Sequence, residues 1–321
     1  MVKIIEGIVL DTILVSRAIA FSSLLSLLSI GLTLTYLTTK VPNFAHGTYA
    51  ALGSYVTLTS VKVFNLSPYS LLLLALFIGG LVSLAQYWLL FKPLIRRGTS
   101  ITGLMITTLA IELIIMGVIN IYADYLSNVL KIRSRYFLYS NLDVEIWGQK
   151  GLVIFAPALV IVTVVSLFLV LKKTKFGISM RAAIEDPSLA SVMGINVDFV
   201  YSVSWFIAGG LGSMAGSLLP LWFPANPDIG SRMIVSAFAS SIVGGLSNIF
   251  GAVLGGMLIG LSEILGTSSL AAFFGAGVIP YRPLIPLIAI VLTLLLAPNG
   301  LSGVNITELY NRLTNRRQQE Y

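Results

Sequence analysis

The chain has 321 residues, of which 56% are hydrophobic and only 10% charged, with a net charge of +7 and a mean hydropathy of +0.93. Soluble domains average about 25% charged residues, so lipid rather than the cytosol is the expected solvent, and the high apolar content excludes disorder. There is no cysteine, and His46 is the single histidine; disulfides, thiolate metal sites, cysteine nucleophiles, multi-histidine metal centres and most histidine relays are excluded, and no metal or cofactor is expected.

A membrane-crossing helix needs about 20 apolar residues. In chain order such runs cover residues 8–37, 44–61, 69–91, 101–122, 151–171, 200–222, 233–265 and 283–296. Asp11 and Arg17 interrupt the start of the first. The stretch 233–265 is too long for one span at about 1.5 Å per residue, and Ser247-Asn248 splits it between glycines. The expected fold is all-α, a polytopic transmembrane helix bundle of about eight hydrophobic segments. The short run after Asn43 and the one before Ser247 are candidate re-entrant elements.

Basic residues fall in short clusters between the runs, the pattern of cytoplasmic loops and not of a nucleic-acid surface. Lys92, Arg96 and Arg97 form one cluster, Lys172, Lys173, Lys175 and Arg181 a second, and Arg312, Arg316 and Arg317 a third. Placing all three in the cytoplasm puts the N-terminus outside. The loop 123–150 then lies outside too, with Lys131, Arg133 and Arg135 nearly balanced by Asp124, Asp143 and Glu145. No cleavable signal peptide is expected, because the first apolar run is too long. Residues 1–305 read as one membrane domain with a cytoplasmic loop at 172–199, and residues 306–321 as a polar, basic cytoplasmic tail.

Four polar or small-residue features interrupt the apolar pattern. Lys40 to Gly47 contains Pro42, which cannot donate to a helix ladder, and Gly47. Broken helix at membrane depth is tolerated where it is buried or lines a cavity, so Asn43, Phe44, His46 and Gly47 are candidates for a solute pathway; a tight interfacial turn with Asn43 as N-cap fits as well. Glu112 stands in the middle of its run, where a charge costs about 2.5–3.5 kcal/mol. It is either a pathway residue or a hydrogen-bonded group joining helices. Glu263, near the end of its run, reads as structural. Gly212/Gly216, Gly251/Gly255 and Gly256/Gly260 repeat at the spacing that lets helix backbones approach closely.

The loop 172–199 is the most informative stretch. Arg181 to Glu185 reads as a helical turn, Asp186-Pro187 as an N-cap followed by proline at the first helical position, and Gly194 as the terminating residue. The short helix between them carries Leu189, Val192 and Met193 on one face. Its polar content, with Glu185 and Asp186, suits a groove in a partner protein better than anionic lipid.

These residues carry a resemblance. Gly31-Leu-Thr-Leu-Thr-Tyr36, Val41-Pro-Asn-Phe-Ala-His-Gly47 and Leu52-Gly-Ser-Tyr55 resemble the opening of the LivH-type permeases of ABC importers for branched-chain amino acids. Arg181-Ala-Ala-Ile-Glu-Asp-Pro187 and Met193-Gly-Ile-Asn-Val-Asp198 resemble their coupling loop, and Val243 to Gly256 their second glycine-rich signature. Ala297-Pro-Asn-Gly-Leu-Ser-Gly303 resembles the ending of their last helix. The Ser247-Asn248-Ile249-Phe250 string departs from the family's usual pattern. The resemblance implies a second related permease (or a second copy of this chain), two ABC ATPase subunits and an extracellular substrate-binding protein as partners, besides membrane lipid. It assigns ATPase coupling to Arg181, Glu185, Asp186, Pro187, Leu189, Met193 and Gly194. The chain has no G-x-x-x-x-G-K-[ST] string, so it cannot bind ATP in the P-loop manner.

The expected function is therefore inward transport of branched-chain or similar small apolar amino acids by alternating access, with a separate chain hydrolysing ATP. Permeases for urea or short amides, and a stand-alone secondary transporter using Glu112, are the alternatives. A third reading, an intramembrane enzyme, would need a cluster of nucleophile, base or metal ligands, and one histidine, no cysteine and scattered carboxylates supply none. A weak internal repeat links Asn43-Phe44…Gly47 to Asn248-Ile249…Gly251.

Overall fold

The structure, a computed structural model, describes residues 2–303. The expected tail 306–321, with Arg312, Arg316 and Arg317, lies outside the described residues. The architecture is the expected all-α bundle. Among the described residues, seven helices are long and apolar enough to cross a membrane. They belong to α1 (Val2–Thr39), α3 (Leu72–Gln86) with its continuation α4 (Lys92–Arg96), α5 (Ile101–Asn128), α6 (Leu152–Lys173), α9 (Val197–Leu218), α11 (Ile249–Phe274) and α12 (Leu284–Leu296). Two shorter helices, α2 (His46–Lys62) and α10 (Ile229–Gly244), sit inside the bundle. The long run 233–265 is indeed divided at Ser247-Asn248, between α10 and α11.

Local chemistry explains most boundaries. In α1 the hydroxyls of Ser23, Ser26 and Ser29 each donate to the carbonyl four residues back, so polar side chains are satisfied in an apolar setting. Pro93 lacks the N–H that would continue α3, and the helix widens into a π-turn, Tyr87–Phe91, just before it. Ser100 caps α5 by accepting from Gly103 N at 3.2 Å. Asn248 caps α11, accepting from Phe250 N at 2.9 Å and Gly251 N at 3.2 Å.

Small residues set the packing. A Cβ on Gly53 would lie 1.8 Å from Ser213 O, and one on Gly216 2.0 Å from Ala50 O, so α2 and α9 touch backbone to backbone. Gly256 and Gly260 bring α11 onto Ser26 and Ser22 of α1, each with an added Cβ 2.4 Å from the serine Cα. Gly251 and Gly255 do the same between α11 and α10. Gly212 faces Leu28, Tyr49 and His46.

The two ends of the bundle differ. At one, α7 (Lys175–Glu185) and α8 (Pro187–Val192) form a helical loop before α9. Asp198 there accepts from Lys92 at 3.0 Å and Arg96 at 2.7 Å, so the first two basic clusters share that end, as the charge pattern requires. The opposite end carries a two-stranded hairpin, β1 (Glu145–Ile146) and β2 (Gln149–Lys150), with Trp147 fully exposed at its tip. Beneath it, Asp143 is buried and accepts from Tyr69 Oη, from Trp222 Nε1 at 2.9 Å and from Leu152 N at 3.4 Å.

Candidate translocation site

The chain breaks after α1 where Pro42 and a left-handed Lys40 (φ 55°) stop the helix. The next residues turn back into the protein. His46 is completely buried, and its Nε2–H donates to Leu28 O at 2.9 Å, since a carbonyl can only accept. Leu28 lies near the middle of the Thr12–Thr39 span, so α2 starts at mid-depth and runs to the hairpin end, where Lys62 stacks on Tyr139. Asn43 is also fully buried. Its side chain does not cap α2, whose N-cap is Ala45; it accepts from Gln86 Nε2 at 3.1 Å, and Gln86 in turn accepts from Tyr49 Oη. The cap alternative for Asn43 is thereby corrected: the polar side chain is drawn into a network with α3 instead. Asn248 does cap its helix, so the two halves of the suggested repeat differ at the asparagine.

The first turn of α10 meets the first turn of α2. A Cβ on Gly47 would lie 2.3 Å from Gly230 O, and one on Gly230 2.6 Å from Gly47 O. Next to this crossing, Ser231 Oγ donates to Glu112 Oε1 at 2.8 Å, joining α10 to the middle of α5. Thr108, one turn earlier on α5, accepts from Phe44 N at 3.3 Å, and the Phe44 ring packs on Phe238 with centroids 5.1 Å apart. Phe44 and Glu112 are half-buried where α5 meets α10, whereas Asn43, His46 and Gly47 are buried.

Glu263 is buried and fully committed: Ser236 Oγ donates to it at 2.8 Å and Arg282 Nε at 2.7 Å. Arg282 also lies over the Phe21 ring at 4.4 Å. Gln86, Ser231, Arg232 and Arg282 were not singled out from sequence; a polar residue within or next to an apolar run is the signal that could have marked each.

At the loop end, Asp186 accepts from Ser188 N and Leu189 N, both at 2.9 Å, and Pro187 opens α8. Gly194 has φ +83° and ends the turn after Met193. Arg181 donates to Leu171 O and ties α7 back to α6. Leu189, Val192 and Met193 are 60%, 83% and 75% exposed, and Glu185 is exposed beside them. The capped short helix thus leaves an apolar face bare at one end of the bundle.

The site is thus a helix bundle of membrane-spanning length with two shorter helices packed inside it and a capped helical loop at one end. The family described as branched-chain amino acid transport system / permease component matches residues 14–305, and the chain belongs to it. It is 46% identical over 314 residues to a probable branched-chain amino acid transport permease protein LivH of Methanocaldococcus jannaschii, covering 98% of this chain and 99% of that one. It is 24% identical over 298 residues to the high-affinity branched-chain amino acid transport system permease protein LivH of Salmonella typhimurium, covering 89% of this chain and 94% of the relative. The corresponding BraD protein of Pseudomonas aeruginosa is 25% identical over 299 residues, with the same coverage. No solved structure matches the chain significantly. The protein is thus a multi-pass membrane permease subunit.

Proposed function

We propose that the chain is the permease subunit of an ABC importer that moves branched-chain amino acids into the cell, with ATP hydrolysed by partner subunits. The bare apolar face of α8 carries this reading, since a secondary transporter has no use for it. Residues 1–305 form the permease domain, residues 172–199 the coupling loop, and the basic clusters face the cytoplasm. Leu189 and Met193 enter a groove of the ATPase, while Arg181, Asp186, Pro187 and Gly194 fix the angle at which α8 is presented. A second related permease, or a second copy of this chain, completes the path. The extracellular binding protein delivers substrate at the hairpin end, where Trp147 offers an exposed aromatic contact. Phe44 and Glu112 line the path, backed by Asn43, His46 and Gly47.

Reconstitution of the whole complex in liposomes tests this. Gly194→Val forces a β-branched residue into a left-handed conformation at a cost of about 1–2 kcal/mol, and Glu185→Ala/Asp186→Ala removes the cap. Both variants are expected to reach the membrane, to lose ATPase activation by loaded binding protein and to lose most leucine uptake. Wild-type rates in both variants, or leucine uptake by the chain alone without ATP, would overturn the reading.

A further inference from the structure

α5 carries a polar residue or methionine at every fourth position: Thr108, Glu112, Met116, Asn120 and Asp124. Residues four apart are neighbours on a helix, and at 3.6 residues per turn such a row drifts by about 40° a step, so these form a stripe that winds round α5. Asn120 and Asp124 both accept from Arg135 at 2.6 Å at the hairpin end, Ser231 bridges Glu112 and Met116 at mid-span, and Thr108 meets Phe44. On α10 only one strip is open: Ser231, Val235, Phe238 and Ile242 are half-buried and Arg232 is exposed, while every other residue of the helix is buried. The strip and the stripe meet at the Glu112–Ser231 bond and at Phe44–Phe238.

The charges at this meeting point are unusual. Glu112 has a serine as its hydrogen-bond partner, and Arg232, the next residue after that serine, makes no ion pair or side-chain hydrogen bond among the described residues. The same chain pairs Glu263 with Arg282 at 2.7 Å, so it does neutralise opposite charges in the membrane where they are structural. A charge within a membrane bundle is costly unless it is paired, and a ligand bearing both opposite charges would pair Glu112 and Arg232 together. We infer that Glu112 and Arg232 form a half-site for a zwitterionic α-amino acid. The ammonium group lies on the Glu112 carboxylate and the carboxylate group on the Arg232 guanidinium, with the apolar side chain against Phe44, Val235 and Phe238. The inference rests on the importer reading and adds to it a reason why neutral solutes such as urea would be passed over.

Two measurements test it on the complete complex. In ATP-driven uptake, Glu112→Gln and Arg232→Gln are each expected to lower leucine transport about tenfold, the loss of one charged hydrogen bond, while ATPase activation by loaded binding protein stays within about twofold. Separately, the chain is naturally free of cysteine, so a single Val235→Cys on the open strip of α10 reports its occupancy without ATP. Leucine at saturating concentration is expected to slow maleimide labelling several-fold, whereas isovalerate and isoamylamine, each with one of the two charges, leave it unchanged; adding Glu112→Gln or Arg232→Gln abolishes the protection. Full uptake by Arg232→Gln, or equal protection by leucine and the single-charge analogues, overturns the half-site. A complex that shows leucine protection but no ATP-driven uptake refutes the importer reading and leaves the half-site standing.

Discussion

Asp143 illustrates how much a single side chain can hold. Its buried carboxylate receives hydrogen bonds from Tyr69 just before α3, from the start of α6 and from the indole of Trp222. Burial, and then the bond to this carboxylate, pushes the Tyr69 phenol well above its ordinary pKa. Replacing Asp143 by alanine strands three donors; with about 1.5–3 kcal/mol for each hydrogen bond to a charged group, a loss of at least about 3 kcal/mol is expected, read as a lower melting temperature in detergent, with Asn recovering part of it. From sequence, Asp143 was only a counter-charge to nearby lysine and arginine, because its side-chain partners are 74 and 79 residues away. Glu112 was legible for the opposite reason: a carboxylate in the centre of an apolar run declares its cost locally, whatever its partner. Arg232 gave the weaker signal of a charge just before an apolar run, which a helix end at the interface would explain equally well.

At the scale of elements, signals confined to a few neighbouring residues were the readable ones. Asp186-Pro187 and Gly194 bound α8 as read, since caps and left-handed stops act within one turn. The glycine spacings likewise foretold close helix contacts, though not which helices meet. The starts of α2 and α10 at mid-depth were not readable in detail, because depth is set by the distant residues they pack on, Leu28 and Glu112. The same distinction gives a paired test of glycine packing. Gly53→Val places its Cβ almost on Ser213 O and should part α2 from α9, costing about 3 kcal/mol or more. Gly117→Ala, where nothing lies within 4 Å of the added Cβ, should be tolerated. Gel-filtration profiles and melting temperatures of the two variants check the contrast; similar behaviour would mean that the α2–α9 contact is not tight.

Across the whole molecule, charge and contact are sorted by end. The loop end gathers Lys92, Arg96 and Asp198 beside the helix with the bare apolar face, and the hairpin end gathers Arg135, Asp124 and the Asp143 clasp. Between them, α2 begins halfway through the bundle with its polar flank already enclosed. That has a consequence for synthesis at the ribosome. A segment of 17 residues that is not among the helices long and apolar enough to cross a bilayer has no stable place in lipid by itself. Its enclosing surface comes largely from α9, which is made much later in the chain. A cysteine at Asn65, just past α2, is expected to react with an impermeant reagent from the outer face in the full chain but not in one truncated after Lys173; equal labelling would show that α2 inserts unaided. If the truncated chain stays silent, the membrane insertion machinery must shelter an unfinished helix until about 150 further residues have been made, and the permease acquires its topology only as it acquires its fold.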